Sequence, residues 1–140
     1  MNEADKILEM IENVDSEDTG TLDEIDARVW CFLAEREFTT VDDVLDRQVH
    51  LFLGPRFRCY TRSRDALKSI RPEGYGVLET KWDWDTKVKP YRNLWSVFFA
   101  ALGLFAHPNY EFQSPKLLSE ELAELHAIIQ AIQYDRENKE

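Results

Sequence analysis

The stretch Tyr75-Gly76-Val77-Leu78-Glu79-Thr80-Lys81-Trp82-Asp83-Trp84-Asp85 decides the fold of this chain. Leu78, Thr80, Trp82 and Trp84 alternate with Glu79, Lys81, Asp83 and Asp85. A period of two is that of a strand, and an apolar set alternating with a charged set predicts an antiparallel strand with one face packed and the other wet. Immediately upstream, Arg71-Pro72-Glu73-Gly74 reads as a helix stop and a turn into that strand. Ser63 is placed to cap a short helix over residues 64–71, with Ala66, Leu67 and Ile70 inward. Before it, Phe57 to Arg62 alternates aromatic and basic residues and predicts a second strand. Downstream, a polar loop containing Pro90 leads into Leu94–Leu102, whose aromatic run suits a buried strand or a buried helix on local pattern alone. Tyr110–Gln113 suits a short further strand.

Helices flank this centre. Ala4, Ile7, Leu8, Ile11 and Val14 recur at helical spacing, with acids between them, which predicts an amphipathic helix over residues 2–14. After a polar linker at 15–20, Thr21 with Glu24 three residues on makes a capping-box pattern for a helix ending near Glu37. Its apolar face is Leu22, Ile25, Val29, Phe32 and Leu33. Thr40 caps a third helix, stopped by Gly54 and Pro55. Ser114-Pro115 opens the last, which runs to about Tyr134 with Leu118, Leu122, Leu125, Ile129 and Ile132 on its face.

These elements make an α+β fold: a small antiparallel sheet of three to four strands sandwiched by helices, with an extra N-terminal helix. A chain of 140 residues fits one such domain. The expected organisation is an acidic helix and linker at 1–19, one sandwich domain at 20–136 and a frayed tail at 137–140. Cys31 and Cys59 form no disulfide framework and no metal spacing, and read as reduced core thiols, which fits a cytoplasmic location. The N-terminus carries no export signal, and the apolar run at 94–106 falls short of the ~20 residues a bilayer needs. No membrane association is expected.

From Thr21 to about Gln133 the chain resembles the phage ABA-sandwich domain, a family of small phage and prophage proteins. Two stretches carry the similarity: Leu22-Asp23-Glu24-Ile25-Asp26-Ala27-Arg28-Val29-Trp30-Cys31 and Tyr60-Thr61-Arg62-Ser63-Arg64-Asp65-Ala66-Leu67. The turn Pro72-Glu73-Gly74-Tyr75, the tryptophan-bearing sheet and the apolar C-terminal helix follow in order. The resemblance implies a sheet sandwiched by helices, favours a strand at 94–102 and implies no activity. It sets the expected place of action in the cytoplasm of a bacterial host.

Charge bears on partners. The net charge is -10, yet it is divided: residues 1–26 hold ten acids against Lys6 alone, while residues 54–92 hold ten bases against five acids. Arg56, Arg58, Arg62 and Arg64 interleave with Phe57 and Tyr60, a pattern that could neutralise phosphates and stack bases. The competing reading pairs these arginines with the acid-rich helices, and the strongly acidic whole favours it. Duplex DNA is therefore not expected as a partner. A small anion or nucleotide at Tyr60, Arg62, Ser63 and Arg64, beside the amide end of the following helix, is the alternative function. His50, His107 and His126 lack a second ligand at metal spacing, and the glycines are scattered. Asp83 and Asp85 flank Trp82 and Trp84, where an acid/base or sugar-binding pair competes with a solvated strand face. No metal, cofactor or catalytic role is expected. The leading expectation is a non-enzymatic phage or prophage accessory protein that binds protein, a host factor or itself, of the kind that inhibits a host defence complex, anti-CRISPR proteins being one example. The expected contact is the N-terminal helix, through Ile7, Leu8, Ile11, Glu9 and Glu12, with a homodimer as its favoured form.

Overall fold

The computed structural model describes residues 2–14, 18–44, 59–87, 92–101 and 111–137. The first helix, α1, spans Glu3–Asn13. Its cap is Asn2, whose side chain accepts the Asp5 N–H at 2.8 Å, and Glu3 and Asp5 in the first turn suit the dipole. Helix α2 spans Thr19–Leu33 and starts earlier than the capping box suggested. Asp18 is the cap: it accepts the Thr21 N–H at 3.1 Å and the Thr21 hydroxyl at 2.6 Å. The Thr21 side chain is thereby taken up as a donor to the carboxylate.

The end of α2 also differs from expectation, and for a legible reason. Glu35 has φ 55, in the left-handed region. The Arg36 N–H reaches the Cys31 carbonyl at 2.8 Å and the Glu35 N–H the Phe32 carbonyl at 3.2 Å. This is a Schellman closure with glutamate where glycine is usual. Thr40 accepts the Asp43 N–H at 3.0 Å and so caps a helical turn at 41–44, as expected. The remainder of that helix, to 53, lies outside the described residues.

Tyr60–Arg62 is a turn, closed by the Arg62 N–H on the Cys59 carbonyl at 2.9 Å. The strand expected over Phe57–Arg62 is therefore absent over the part described, and Phe57 and Arg58 lie outside it. The physical reason is that the Thr61 N–H, which a strand would spend on a ladder, goes to the Asp26 carboxylate at 2.9 Å. Helix α3, Arg64–Lys68, follows with Ser63 as its cap, and Ala66 and Leu67 are buried. Gly74, at φ 85, makes the turn into the sheet.

Among the described residues the sheet has three antiparallel strands in the order β1-β2-β3, with β1 at Tyr75–Asp85, β2 at Arg92–Ala101 and β3 at Glu111–Gln113. The stretch at 94–101 is thus strand. Leu78 is the extra residue of a bulge between Val77 and Glu79. Beyond β3 the chain keeps close to β2: the Ser114 hydroxyl accepts the Val97 N–H at 2.9 Å, and Trp95 and Leu117 exchange bonds of 2.7 Å. Ser114 therefore serves the sheet, and Ser119 caps the last helix, α4, at Glu120–Glu137.

Helix α4 packs against β2 and β3 on one side and against α1 and α3 on another. Leu122, Leu125 and Ile129 are buried as the periodicity requires, and so are Ala123, Ala127 and Ala131. The alanines form a second, small-residue stripe at i, i+4 and i+8, which lets neighbours approach a helix enclosed on several sides. Ile7 and Ile11 of α1 are fully buried in the same core, together with Ile25 and Val29 of α2. Arg136 near the end of α4 donates to the Phe32 carbonyl at 2.9 Å and so satisfies an open end of α2. No helix among the described residues is long and apolar enough to cross a membrane.

Candidate functional site

The residues Tyr60, Arg62, Ser63 and Arg64 are adjacent in space but engaged with the rest of the protein. Tyr60 is buried. Ser63 is spent on the cap of α3. Arg62 donates to Asp23 at 2.6 Å and to Asp26 at 3.1 Å, and Arg64 pairs with Glu120. Arg71 pairs with the buried Glu124. Of the basic middle, Arg62, Arg64 and Arg71 thus pair with acids of the helices. Arg56 and Arg58 lie outside the described residues.

Asp26 is the centre of this network. It is fully buried on α2, one turn beyond Leu22, and accepts the Thr61 N–H at 2.9 Å, the Thr61 hydroxyl at 3.3 Å and Arg62 at 3.1 Å. Burial pushes its carboxyl up to about 6, against the opposing pull of Thr61 and Arg62. The two stretches that carry the family resemblance are therefore joined, and the joint is structural. The sequence holds a faint sign of it: Asp26 falls beside Leu22 and Ile25 on the side of α2 that an amphipathic helix keeps apolar.

The N-terminal helix spends its apolar stripe internally. Ile7 and Ile11 lie in the protein's own core, Leu8 is half-buried, and Glu9 and Glu12 are exposed. An open cleft of about 580 Å³ runs between α1 and α4, with Asp5, Glu9, Glu12 and Glu137 on its walls. At its side His126, buried on α4, donates from Nε2 to Glu12 at 3.2 Å while Nδ1 accepts from Gln130 at 2.8 Å. Desolvation holds its pKa below the ordinary value, against the attraction of Glu12, so the neutral tautomer fits both bonds. No group of three or more potential metal ligands occurs among the described residues.

The sheet edge departs most from the sequence reading. Thr80 faces Val97, Trp82 faces Trp95 and Trp84 faces Asn93 across β1 and β2, so the tryptophans share a face with the buried Val97. Yet Leu78, Trp82 and Trp84 are 54%, 57% and 51% exposed. The packed tryptophan face that alternation predicted is not packed. Helix α4 lies over β2 and β3, and β1 is the edge strand beyond it. The two indoles meet edge to face at 5.7 Å. On the opposite face Lys81 sits over the Phe98 ring at 5.1 Å, and Asp83 accepts from Lys116 at 2.9 Å. Asp83 is thus tied to a lysine, which holds its carboxyl below the ordinary value. Cys59, expected in the core, is also exposed; Cys31 is buried.

No family model matches the chain, and no curated protein or solved structure is significantly similar to it.

Proposed function

We propose that this chain is a non-enzymatic accessory protein of a phage or prophage, acting in the bacterial host by binding protein. The observation that carries the reading is the exposure of Leu78, Trp82 and Trp84 together on an edge strand; among the described residues they are the exposed large hydrophobic side chains. An exposed aromatic cluster beside an open strand edge is costly to leave in water and is the chemistry of a protein contact. The ABA-sandwich resemblance supplies the phage assignment. Inhibition of a host defence complex, in the manner of anti-CRISPR proteins, is the class of role that a small acidic protein of this origin fits.

The occupant of the strand edge argued below is a second copy of the chain. A host factor then meets the acidic outer face of α1, where Asp5, Glu9 and Glu12 are held rigidly because Ile7 and Ile11 anchor the helix. Such a factor presents a basic surface. The test is affinity purification of the tagged chain from its host, wild type against Glu9→Lys. The expected result is a stoichiometric host protein, weakened or lost with the variant. Recovery of no protein partner with either form contradicts the reading.

A further inference from the structure

We infer that β1 pairs antiparallel, edge to edge, with β1 of a second copy of this chain, about a two-fold axis at Thr80. This rests on the protein-binding reading and names the partner of the strand edge.

Three observations converge on it. First, the edge is open among the described residues. Among the described residues β1 pairs only with β2, and residues 78–84 are exposed except for the half-buried Thr80. The Trp84 N–H donates to its neighbour Asp83 at 2.8 Å, so it points away from the β2 ladder. The period of two then puts the Trp82 and Thr80 amides on the same outer edge. Second, the exposed apolar side chains belong to the same strand. Third, the charges beside Thr80 are self-complementary about that residue.

Two-fold pairing of antiparallel strands requires outward residues to face outward residues, which leaves few choices. With Thr80 on the axis, the regular ladder between the two bulges is centred on residues 79–81. Glu79 faces the partner's Lys81 and Lys81 the partner's Glu79. The bulged Leu78 comes beside the partner's Trp82. No like charges stand opposite. With the axis at Lys81, lysine faces lysine and Glu79 faces the partner's Asp83. With the axis at Trp82, Glu79 faces the partner's Asp85. Direct opposition of like charges penalises both. Glu79 and Lys81 are more than half exposed and 3.9 Å apart within one chain, so both are available to exchange partners. Pairing about Thr80 brings each copy's exposed Leu78 and Trp82 against the other's, removing from water the side chains that the fold leaves uncovered.

The test is a charge swap read by sedimentation and light scattering on the purified chain. Wild type is expected to dimerise. Glu79→Lys and Lys81→Glu, each alone, set two like-charge pairs across the interface and are expected to weaken the dimer about tenfold. The double variant Glu79→Lys/Lys81→Glu restores both pairs and the dimer with them. Far-UV circular dichroism and melting temperature check that each variant remains folded; both sites are exposed, so little change is expected. A wild type that stays monomeric at its highest soluble concentration overturns the proposal. A dimer indifferent to the single substitutions, or not restored by the double, also overturns it. If wild type is monomeric yet Glu9→Lys loses a host protein, the protein-binding reading stands and the strand pairing falls.

Discussion

At the scale of single residues, two buried titratable groups pull stability in opposite directions. The Asp26 carboxyl is raised to about 6 by burial. Between that value and the ~4 of an unfolded aspartate the native state holds the extra proton, so its contribution to stability grows as pH falls. His126 is depressed by burial, and its contribution is lost as pH falls below the ~6.5 of an unfolded histidine. A wild-type profile sums the two, so the informative quantity is a difference. The stability of Asp26→Asn relative to wild type should rise between pH 4 and 7, by up to about 3 kcal/mol, whatever the constant cost of the lost bonds to Thr61 and Arg62. Denaturant melts across that range measure it, and a flat difference would show that folding does not raise the Asp26 carboxyl above its unfolded value. Glu35 offers an independent check. It occupies a left-handed position, φ 55, with its side chain 76% exposed and 3.9 Å from Arg136. Glu35→Gly should therefore stabilise the protein by ~1 kcal/mol, measured in the same melts.

At the scale of elements, the hydrophobic pattern located α1 closely because its periodic stripe is covered by α2 and α4, and alternation located β1, while 94–102 suited strand or helix on local pattern alone. It misread two places for the same reason: a pattern records which side chains prefer burial and not what is left to cover them. Leu78, Trp82 and Trp84 are apolar but uncovered: α4 lies over β2 and β3 and meets β1 at Tyr75, at the far end from the tryptophans. Phe57–Arg62 alternates like a strand, but its Thr61 amide is claimed by Asp26, thirty-five residues away, which no local pattern can report. The Arg62 and Arg64 candidates had the same difficulty, since their partners Asp23, Asp26 and Glu120 come from other helices. The N-terminal helix shows the converse. Its stripe was legible and its destination was not. Ile7 and Ile11 are core residues of the same domain. Ile7→Ala should cost ~2–5 kcal/mol, as should Leu125→Ala in α4. A loss below ~1 kcal/mol for either would place that side chain outside the core.

At the scale of the whole molecule, charge and surface set the choice of partner. A net charge of -10, with Arg62, Arg64 and Arg71 paired to acids, leaves little to drive counterion release from a duplex. Titration with duplex DNA at physiological salt should detect no submicromolar binding; detecting it would return the arginine-rich segment to the centre of the account. The positive claim is that the open edge of β1 is the binding surface. It is tested most directly by amide hydrogen exchange along the chain at low and high protein concentration. Pairing about Thr80 predicts that the outward amides of Thr80 and Trp82 slow as concentration rises, while those of β2 and α4 do not change. Exchange along β1 that is independent of concentration, up to the solubility limit, would contradict it.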